Sequence, residues 1–458
     1  MTNPRRAARE YARQHQQEFL NRLKEFVSIA SVSTDPDSKP EMTRAAEWVA
    51  ARLKALGAER VDILPTDGHP VVFGERLTEP EKPTLLVYGH YDVQPADPLE
   101  LWQSAPFEPT VRGENLYGRG ASDMKGQVMA MLSALEAAKE SGGLPINVKF
   151  LIEGEEEIGS PSLAKFIEQN QELLRADFCL NPDSGMLGRN YPTITTGLRG
   201  LAAFELRVSG PKSDLHSGVY GGVVHNPAVA LAELLAGMHD TNGRVTLPGF
   251  YDDVPTLTEA EHVNFARLPT DEAYYLEQTG VPALWGEKDF LPDERVSARP
   301  TLEVNGILSG FTGTGFKTVL PAQAMAKISC RLVPHQDPAK VAAGLRQYLE
   351  QNAPNTIRWE LIEYGGSPAS ISDVNQPGVQ ALEKALETVW GVKPFFKREG
   401  GSVPVVAQMQ SILGIESVIT GFGLPDDNLH APNEKLHLPT WYKGIEALVE
   451  FLFNMSHL

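Results

Sequence analysis

Five short stretches of the chain place histidines and carboxylates directly after apolar runs. They are GHYD (89–92), GRGASDMKG (118–126), EGEEEIGS (153–160), NPDSG (181–185) and NLHAPNEK (428–435). Together they supply two imidazoles and several carboxylates, those of His90, Asp123, Glu156, Glu157, Asp183 and His430. Nitrogen and oxygen donors of this kind suit Zn²⁺, Mn²⁺ or Co²⁺, and one carboxylate shared by two ions would give a two-metal hydrolase site.

The pair His90 and Asp92 stands just after the apolar run Leu85–Tyr88. Alternate side chains of an extended chain share a face, so the two residues point the same way, which suits orienting an imidazole. Each feature taken alone has a simpler explanation. A histidine in a strand is more often a hydrogen-bonded core residue, and an EGEEE run is most often a solvated acidic turn. An aspartate in the position of Asp123 is commonly a helix cap. The acidic run directly follows an apolar strand, however, and a divalent cation would remove the repulsion between its carboxylates. The combination favours a metal site.

Alternating strand-like and helix-like segments surround these stretches. Apolar spacing and apolar runs predict, in chain order, a helix over 11–32, a strand over 85–88, a helix over 124–139, a strand over 148–152, a helix over 160–174 and a strand over 178–180. This alternation predicts an α/β fold with a mixed, mostly parallel sheet and helices on both faces. In such sheets binding groups lie beyond the carboxyl ends of the strands, which is where the polar stretches stand.

A change of pattern after Thr195 indicates a second domain. Alternating strands and amphipathic helices form an α+β pattern with a one-sided sheet, whereas the charged segment 241–300 shows no assignable element. The α/β pattern returns from Val379. Four ligand positions precede this excursion and His430 follows it. We therefore expect a discontinuous catalytic domain, 1–196 and 371–458, around an inserted α+β domain, 197–370.

The bulk composition excludes several classes of function. The 458 residues carry a formal net charge of −18, which argues against nucleic acid or an anionic membrane surface as the partner. Cys179 and Cys330 lie in apolar runs, where inert buried thiols are usual, so no disulfide framework is expected. The N-terminal residues lack the apolar core of a signal peptide, and no apolar run approaches the ~18 residues of a membrane helix. We expect a cytoplasmic protein that interacts with no membrane.

Longer segments of the chain carry a family resemblance. GHYDVQP, GRGASDMKG, EGEEEIGS, DLHSG, KTVLPAQAMAKISCRLVP, REGGSVP and HAPNEK occur in this order. In these segments the chain resembles, over nearly its whole length, the zinc-dependent metallopeptidases that include glutamate carboxypeptidase, aminoacylase, peptidase T and carnosinase. Several segments are most similar to the branch of cytosolic non-specific dipeptidases and carnosinase. The resemblance implies a hydrolase with two divalent ions per subunit, zinc or manganese, with cobalt as a further candidate.

The resemblance also implies a role for each residue of the site. The implied ligands are His90, Asp123 and Asp183 for one ion, and Asp123, Glu157 and His430 for the other. Asp123 then bridges the two ions, and the peptide bond that follows it is cis. Glu156 is the general base, which takes a proton from a water that bridges the ions. Asp92 fixes the tautomer and aim of the His90 imidazole.

The inserted domain resembles the family's lid and dimerisation domain. By this resemblance His216, in SDLHSG, reaches into the site of the partner subunit of a homodimer and helps hold the tetrahedral oxyanion. Arg331, Thr318 and Ser402 bind the substrate carboxylate or the scissile carbonyl. From residue type alone, the Arg331 guanidinium suits a free carboxylate but equally a surface salt bridge, and Ser402 after two glycines equally ends a turn.

The implied activity is hydrolysis of dipeptides that have a free N-terminal amine and a C-terminal carboxylate. By the same resemblance, an Asp at position 183 accompanies substrates with a free amine, whereas Glu accompanies N-acyl substrates. The alternatives are an N-acyl-amino-acid amidohydrolase, a desuccinylase or a carboxypeptidase of the same family. A catalytically inactive binding or scaffold protein is a more distant alternative, because Glu156 and all five ligand positions are filled. Nucleotide binding at GFTGTGFKT (310–318) is rejected, because Phe316 stands where a phosphate-binding loop needs lysine.

Overall fold

The structure, a computed structural model, describes residues 3–77, 80–401 and 404–458, so the predicted substrate-binding Ser402 lies outside the described residues. In chain order the helices are α1 (Pro4–Gln14), α2 (Gln16–Val27), α3 (Lys39–Ala55), α4 (Lys125–Glu140), α5 (Leu163–Gln169), α6 (Gln171–Leu174), α7 (Ser217–Tyr220), α8 (Pro227–Gly237), α9 (Glu259–Ala266), α10 (Glu272–Thr279), α11 (Pro292–Ser297), α12 (Pro338–Asn352), α13 (Pro377–Trp390), α14 (Pro404–Gln408) and α15 (Leu438–Met455). The strands are β1 (Arg60–Leu64), β2 (Val71–Arg76), β3 (Thr84–His90), β4 (Thr110–Arg112), β5 (Asn115–Tyr117), β6 (Asn147–Glu153), β7 (Phe178–Asn181), β8 (Thr193–Leu198), β9 (Gly200–Ser209), β10 (Leu215–His216), β11 (Thr301–Ser309), β12 (Val319–Leu320), β13 (Gln323–Leu332), β14 (Arg358–Ser367), β15 (Ser370–Ile371), β16 (Phe395–Glu399), β17 (Ser417–Ile419) and β18 (Lys435–His437).

The chain forms two compact units. The first comprises the chain up to Thr196, then Ser372–Lys397 and the C-terminal part that ends at Leu458. The second comprises Gly197–Ile371 together with a short segment that begins at Arg398. The chain therefore leaves the first unit, builds most of the second, and returns.

The short segment at Arg398 differs from the predicted division, which assigns it to the catalytic domain. Arg199 explains why it belongs with the second unit. The main-chain N–H of Arg199 donates to the carbonyl oxygens of Glu399 and Gly401 at 3.3 and 3.2 Å, and its Nε donates to the carbonyl oxygen of Gly400 at 3.1 Å. One residue of the second unit thus holds this glycine-rich turn.

The first unit is built on a mixed sheet with the strand order β1-β2-β6-β3-β7-β17-β8, and β16 also pairs with β8. The central strands β6, β3, β7 and β17 are parallel, whereas the outer pairs are antiparallel. The α/β fold with a mixed sheet is therefore confirmed, with parallel pairing concentrated at the centre. Because parallel strands run the same way, their carboxyl ends lie at one edge, where His90 pairs with Glu153.

Packed layers cover both faces of this sheet. All seven residues of β6 are buried, which is typical of a strand enclosed on either side. Val148 and Phe150 belong to the hydrophobic core that includes residues of α4 and α15. Lys149 points the other way, and its Nζ donates to the carbonyl oxygen of Leu173 in α6 at 2.7 Å. The sheet is thus packed on both faces and fixes the positions from which the loops after its strands begin.

The second unit contains an antiparallel sheet with the order β11-β13-β9-β14. Burial alternates along β13, and its buried side chains join those of α8 and α12 in a separate core, which makes the sheet one-sided as predicted. The segment 241–300 contains α9, α10 and α11, none longer than eight residues. Helices this short show too little periodicity to be recognised from sequence. In the described part of the chain, no helix is long and apolar enough to cross a membrane.

Two predicted helices are interrupted in the structure. The helix predicted over 11–32 is divided into α1 and α2 at His15, whose backbone leaves the helical conformation with φ −106° and ψ 15°. The helix predicted over 160–174 begins only at α5 and is divided again at Asn170. There the Asn170 amide donates to the carbonyl oxygen of Phe166 at 2.8 Å, a local bond that competes with helix continuation.

Gly126, near the start of α4, allows the loop that carries Asp123 to pack closely. A Cβ added at Gly126 would stand 2.1 Å from the main-chain oxygen of Ala121 and 2.8 Å from Leu436. Alanine favours a helix over glycine by about 1 kcal/mol, but overpacking costs about 1–3 kcal/mol. We expect Gly126→Ala to lower the unfolding midpoint measured by calorimetry. Gly306→Ala, at a position with nothing within 4 Å, is the control and should be close to neutral. A stabilised Gly126→Ala protein would contradict the close packing.

Candidate metal centre

Three neighbouring parallel strands deliver the predicted site residues to one edge of the sheet. His90 is the last residue of β3, Glu156 and Glu157 begin a short 3-10 turn after β6, and Asp183 follows β7. Asp123 comes from the loop before α4. The structure brings these side chains together because the strands that precede them are adjacent and run in the same direction.

Asp123 lies between the two predicted histidine ligands. Its Oδ1 is 3.3 Å from Nε2 of His90, and its Oδ2 is 2.9 Å from Nε2 of His430. The same nitrogen of His430 lies 3.2 Å from Oε2 of Glu157. The peptide bond between Asp123 and Met124 is cis, as the resemblance implies. One carboxylate therefore connects the two imidazoles.

Two further carboxylates, those of the predicted base Glu156 and the predicted ligand Asp183, lie near His90. Oε2 of Glu156 and Oδ2 of Asp183 each lie 4.0 Å from Nε2 of His90. Two groups have ligand atoms that all lie within 4.8 Å of one another, and they are His90, Asp123 and Glu157, and His90, Glu156 and Asp183. These groups overlap the two predicted ligand sets without coinciding with them, since His90 belongs to both groups, His430 to neither, and Glu156 stands in the second group in place of Asp123.

The spacing and chemistry of this cluster fit a divalent metal ion. Ligand atoms about 2.1 Å from a tetrahedral ion lie about 3.4 Å apart. The separations from Asp123 to His90 and from Glu157 to His430, at 3.3 and 3.2 Å, are of this size. Nε2 of His90 is buried and makes no hydrogen bond to any described residue, although carboxylates surround it. A metal ion would satisfy this nitrogen.

Asp92 supports the cluster from behind. Nδ1 of His90 lies 3.0 Å from the main-chain oxygen of Asp92 and 3.3 Å from its Oδ1. The Asp92 carboxylate also accepts the main-chain N–H groups of Glu156 and Glu157, at 3.3 and 3.1 Å. With its proton on Nδ1, the imidazole presents Nε2 to the cluster. Asp92 thus contacts both the His90 imidazole and the turn that carries Glu156, and the orienting role that the resemblance implies for it stays a prediction.

Three groups of the cluster have raised pKa values and so hold their protons more tightly than usual. Burial raises the pKa of Glu156 to about 8, and the charges of Glu157 and Asp123 add to the rise. Burial and the charge of Asp123 raise the pKa of Asp183 well above its usual range. Hydrogen bonds to Asp123 and Glu157 raise the pKa of His430 to about 10. The cluster therefore holds protons that a divalent cation would displace.

Gln94 and Glu434, which are not among the residues predicted from the sequence, also support the site. Nε2 of Gln94 donates to Oε2 and to the main-chain oxygen of Glu157, at 2.9 and 3.1 Å. Glu434 is buried, and its Oε1 accepts the main-chain N–H of Asp123 at 3.1 Å. Each stands four residues after a candidate histidine ligand, in a stretch that already attracts notice. That position is the signal by which they could have been found.

His216 and Thr318 belong to the second unit, where they are neighbours. His216 is exposed at the start of α7, and its Nδ1 accepts the main-chain N–H of Gly218 at 3.0 Å. Because Nδ1 accepts this bond, the ring nitrogen that can donate is the other one, Nε2. The main-chain oxygen of Thr318 accepts the N–H of Ser217 at 3.1 Å. His216 is thus set up to donate a hydrogen bond from Nε2.

Arg331 also belongs to the second unit. It lies in β13 and lines, together with Arg199, a cavity of about 360 Å³. Burial lowers the pKa of Arg199 to about 10, and the charge of Arg331 contributes to the decrease. Two guanidinium groups at one cavity suit an anionic group such as a carboxylate.

Comparison with known proteins agrees with this site. The sequence profile of peptidase family M20/M25/M40 matches residues 86–454, a range that contains every candidate ligand. The chain is 34% identical to the Cys-Gly metallodipeptidase of Schizosaccharomyces pombe, over 96% of both chains. It is 33% identical to the human beta-Ala-His dipeptidase, over 98% of this chain and 92% of that protein.

Solved structures show the same relationship. An M20 family metallo-carboxypeptidase from Sulfolobus solfataricus matches with a TM-score of 0.87 at 36% identity, covering 96% of this chain and 100% of that one. Human carnosine dipeptidase 1 matches with a TM-score of 0.84 at 31% identity, covering 100% and 99% of the two chains. The resemblance to the carnosinase-like branch is confirmed. With its fold, its cluster of candidate metal ligands and the profile match in agreement, the chain belongs to peptidase family M20/M25/M40.

Proposed function

We propose that the protein is a metallodipeptidase, which hydrolyses dipeptides that have a free N-terminal amine and a C-terminal carboxylate. The observation that carries the proposal is the position of Asp123, whose two oxygens lie 3.3 Å from His90 and 2.9 Å from His430. A carboxylate held between two imidazoles is suited to bridge two metal ions. The two relatives described as dipeptidases, at 34% and 33% identity, support the substrate class.

The site takes two divalent ions, zinc or manganese, in this proposal. The ligands are His90, Asp123 and Asp183 for one ion, and Asp123, Glu157 and His430 for the other. When bound, such ions polarise the scissile carbonyl and lower the pKa of water. Nδ1 of His90 contacts Asp92, so its Nε2 is directed toward the cluster, where it would bind one of these ions.

Glu156 is the general base. Its side chain is 16% exposed, so it can meet a substrate, and its Oε2 lies 4.0 Å from Nε2 of His90. Asp92 holds its main-chain N–H at 3.3 Å and thereby fixes where the carboxylate stands. The carboxylate takes a proton from the attacking water and passes it to the leaving amine, as the bond between the carbonyl carbon and the amide nitrogen breaks.

The second unit serves as the lid and dimerisation domain. His216 donates from Nε2 to the oxyanion in the partner subunit's site of a homodimer, which its exposed position and its tautomer allow. Arg331, Thr318 and Ser402 bind the substrate carboxylate or the scissile carbonyl. The guanidinium of Arg331 forms paired hydrogen bonds with a carboxylate particularly well.

We infer a cytoplasmic location from the cysteines. Cys179 and Cys330 are both buried and free. Free buried thiols are usual in reducing compartments, where disulfides rarely persist.

A carboxypeptidase is the second candidate, because the solved structure at 36% identity is described as a metallo-carboxypeptidase. The two activities share the chemistry at the scissile bond and differ in the part of the substrate that lies on the N-terminal side of that bond. A dipeptidase requires the free amine, whereas a carboxypeptidase accepts longer or acylated chains. Asp183 favours the free amine, since in the family an Asp at this position accompanies such substrates.

A substrate panel tests the proposed function. We expect the zinc- or manganese-loaded protein to hydrolyse unblocked dipeptides at least about 100-fold faster than the N-acetylated forms of the same dipeptides, because a site built for a charged amine rejects substrates without it. The measurement is kcat/KM from chromatographic detection of released amino acids, with tripeptides in the same panel. Removal of metal by a chelator should abolish turnover, and either ion should restore it. Faster cleavage of the acetylated substrates would contradict the dipeptidase.

Replacement of Glu156 separates catalysis from metal binding. We expect Glu156→Gln to retain two ions per subunit by elemental analysis, while kcat falls by about 10²–10⁴ or more. Glu155→Gln is the matched control, because Oε1 of Glu155 instead accepts the main-chain N–H of His69 at 3.2 Å. Its turnover should stay close to that of the wild type. If Glu156→Gln turns over normally, or loses an ion, Glu156 is not the base.

A role for His216 across a dimer predicts complementation between inactive subunits. Glu156→Gln and His216→Ala should each be inactive alone. In a mixed dimer, one site combines an intact Glu156 from one chain with an intact His216 from the other. Statistical exchange makes half of the dimers mixed, so about a quarter of the wild-type sites should be restored. Recovery is measured after exchange of differently tagged subunits is verified, and a fully active monomer or the absence of recovery would contradict the role in trans.

A further inference from the structure

The loop that carries Asp123 depends on one buried carboxylate. This loop, residues 118–124, connects β5 to α4, and its main-chain N–H groups need partners because they are withdrawn from water. Oε2 of Glu434 accepts the N–H of Gly120 at 3.0 Å. Oε1 of Glu434 accepts the N–H groups of Ser122 and Asp123, at 3.0 and 3.1 Å. A single side chain therefore fixes the course of the loop up to Asp123.

A buried arginine completes the surroundings of Glu434. Nη1 of Arg119 donates to Oε2 of Glu434 at 2.7 Å, and its Nη2 donates to the carbonyl oxygen of Pro95 at 3.0 Å. Glu434 is 0% and Arg119 is 1% exposed. Each buried charge is therefore stabilised by the other, since an unpaired buried charge would be strongly destabilising. Hydrogen bonds to an ionised carboxylate are stronger than those between neutral groups. The loop is thus held by four bonds that converge on one residue.

Glu434 also belongs to the segment that supplies the second histidine. It stands four residues after His430, whose Nε2 is 2.9 Å from Oδ2 of Asp123. The main-chain oxygen of Glu434 accepts the N–H of Gly118 at 3.0 Å, and the next residue, Lys435, begins β18, which pairs with β5. The side chain of Glu434 holds one end of the Asp123 loop, and its main chain holds the other.

We infer that Glu434 is a positioning residue, which holds the carboxylate of Asp123 in register with His430 and thereby sets the affinity of the site for its metal ions. The inference rests on the proposed metal function. Glu434 acts through the main chain of the Asp123 loop. Because Asp123 is shared between the ions in the proposed site, a displaced Asp123 weakens the binding of both. Replacing the partner of a metal ligand typically lowers metal affinity by about 10–100-fold.

A purely structural role for Glu434 would give a different result. Removal of one partner of a buried ion pair lowers stability wherever the pair stands, and it does not single out one loop. Glu446, on α15, offers a matched comparison. Its carboxylate also accepts four hydrogen bonds, from Arg9 and Arg13. Those arginines belong to α1, which carries none of the candidate ligands.

The test compares Glu434→Gln with Glu446→Gln in the full-length protein, with zinc alone as the probe. In Glu434→Gln an NH₂ group replaces one carboxylate oxygen and cannot accept from the N–H groups that face it. We expect the affinity for both zinc ions, measured by competition with a chromogenic chelator, to fall about 10–100-fold. Hydrogen exchange of peptides that contain residues 118–124 should become faster. Glu446→Gln should lose stability but keep wild-type zinc affinity and wild-type exchange in that loop.

Wild-type affinity and wild-type exchange in Glu434→Gln would overturn the inference, as would an equal loss of affinity in Glu446→Gln. Glu434→Asp keeps the charge but is shorter by one methylene, so it cannot reach Arg119 and the loop amides together. It replaces Glu434→Gln if that variant does not fold, and unchanged affinity would again overturn the inference. If the wild-type protein binds no zinc or manganese, the proposed function fails, whereas the exchange measurement still decides whether Glu434 holds the loop.

Discussion

The burial and mutual repulsion of carboxylates at the edge of the central sheet are the constraint on which the rest of the structure depends. Burial raises the pKa of Glu156 and of Asp183, so each of these groups resists ionisation. Asp123 behaves differently: burial alone would raise its pKa, but the hydrogen bond with His430 and the charge of the neighbouring His90 imidazole lower it. The carboxylate that both imidazoles contact is therefore the one most ready to carry negative charge. This difference in proton affinity accords with a central place for Asp123.

A second set of carboxylates holds the first set in place through the main chain. Asp92 accepts the N–H groups of Glu156 and Glu157, and Glu434 accepts those of the loop that ends in Asp123. Both supporting residues are buried, and each contacts the peptide groups that precede the functional side chains. Hydrogen bonds to the main chain fix the position of the Cα atom from which a side chain extends. They leave the ligand atoms of that side chain unoccupied. The cluster can therefore be rigid while its oxygens stay available.

Much of the site can be predicted from the sequence because it is built from the ends of strands. A buried strand appears as an apolar run, and polar residues directly after it mark a carboxyl end, so His90, Glu156 and Asp183 can be assigned to one edge in advance. Gln94 and Glu434 could not be predicted in this way, because the groups they bind are largely main-chain atoms. Main-chain atoms are the same in every residue type, so the sequence does not indicate such contacts. The short helices of 241–300 escape it because they lack periodicity. The roles of His216, Thr318 and Arg331 follow only from resemblance and stay predictions.

The position of β17 in the sheet has a consequence for how the protein acquires its fold. β17 lies between β7 and β8, yet β8 ends at Leu198 and β17 begins only at Ser417. During synthesis, β7 and β8 emerge while the strand that separates them is still unmade, and the whole of 197–371 follows first. Contacts between such distant segments form slowly, because a long loop must close before they contribute. The second unit has its own core and can fold during this interval. The central sheet cannot be completed until β17 is made, so the facing edges of β7 and β8 stay unpaired and exposed. Aggregation is therefore most probable in a nascent chain that has made β8 but not yet β17.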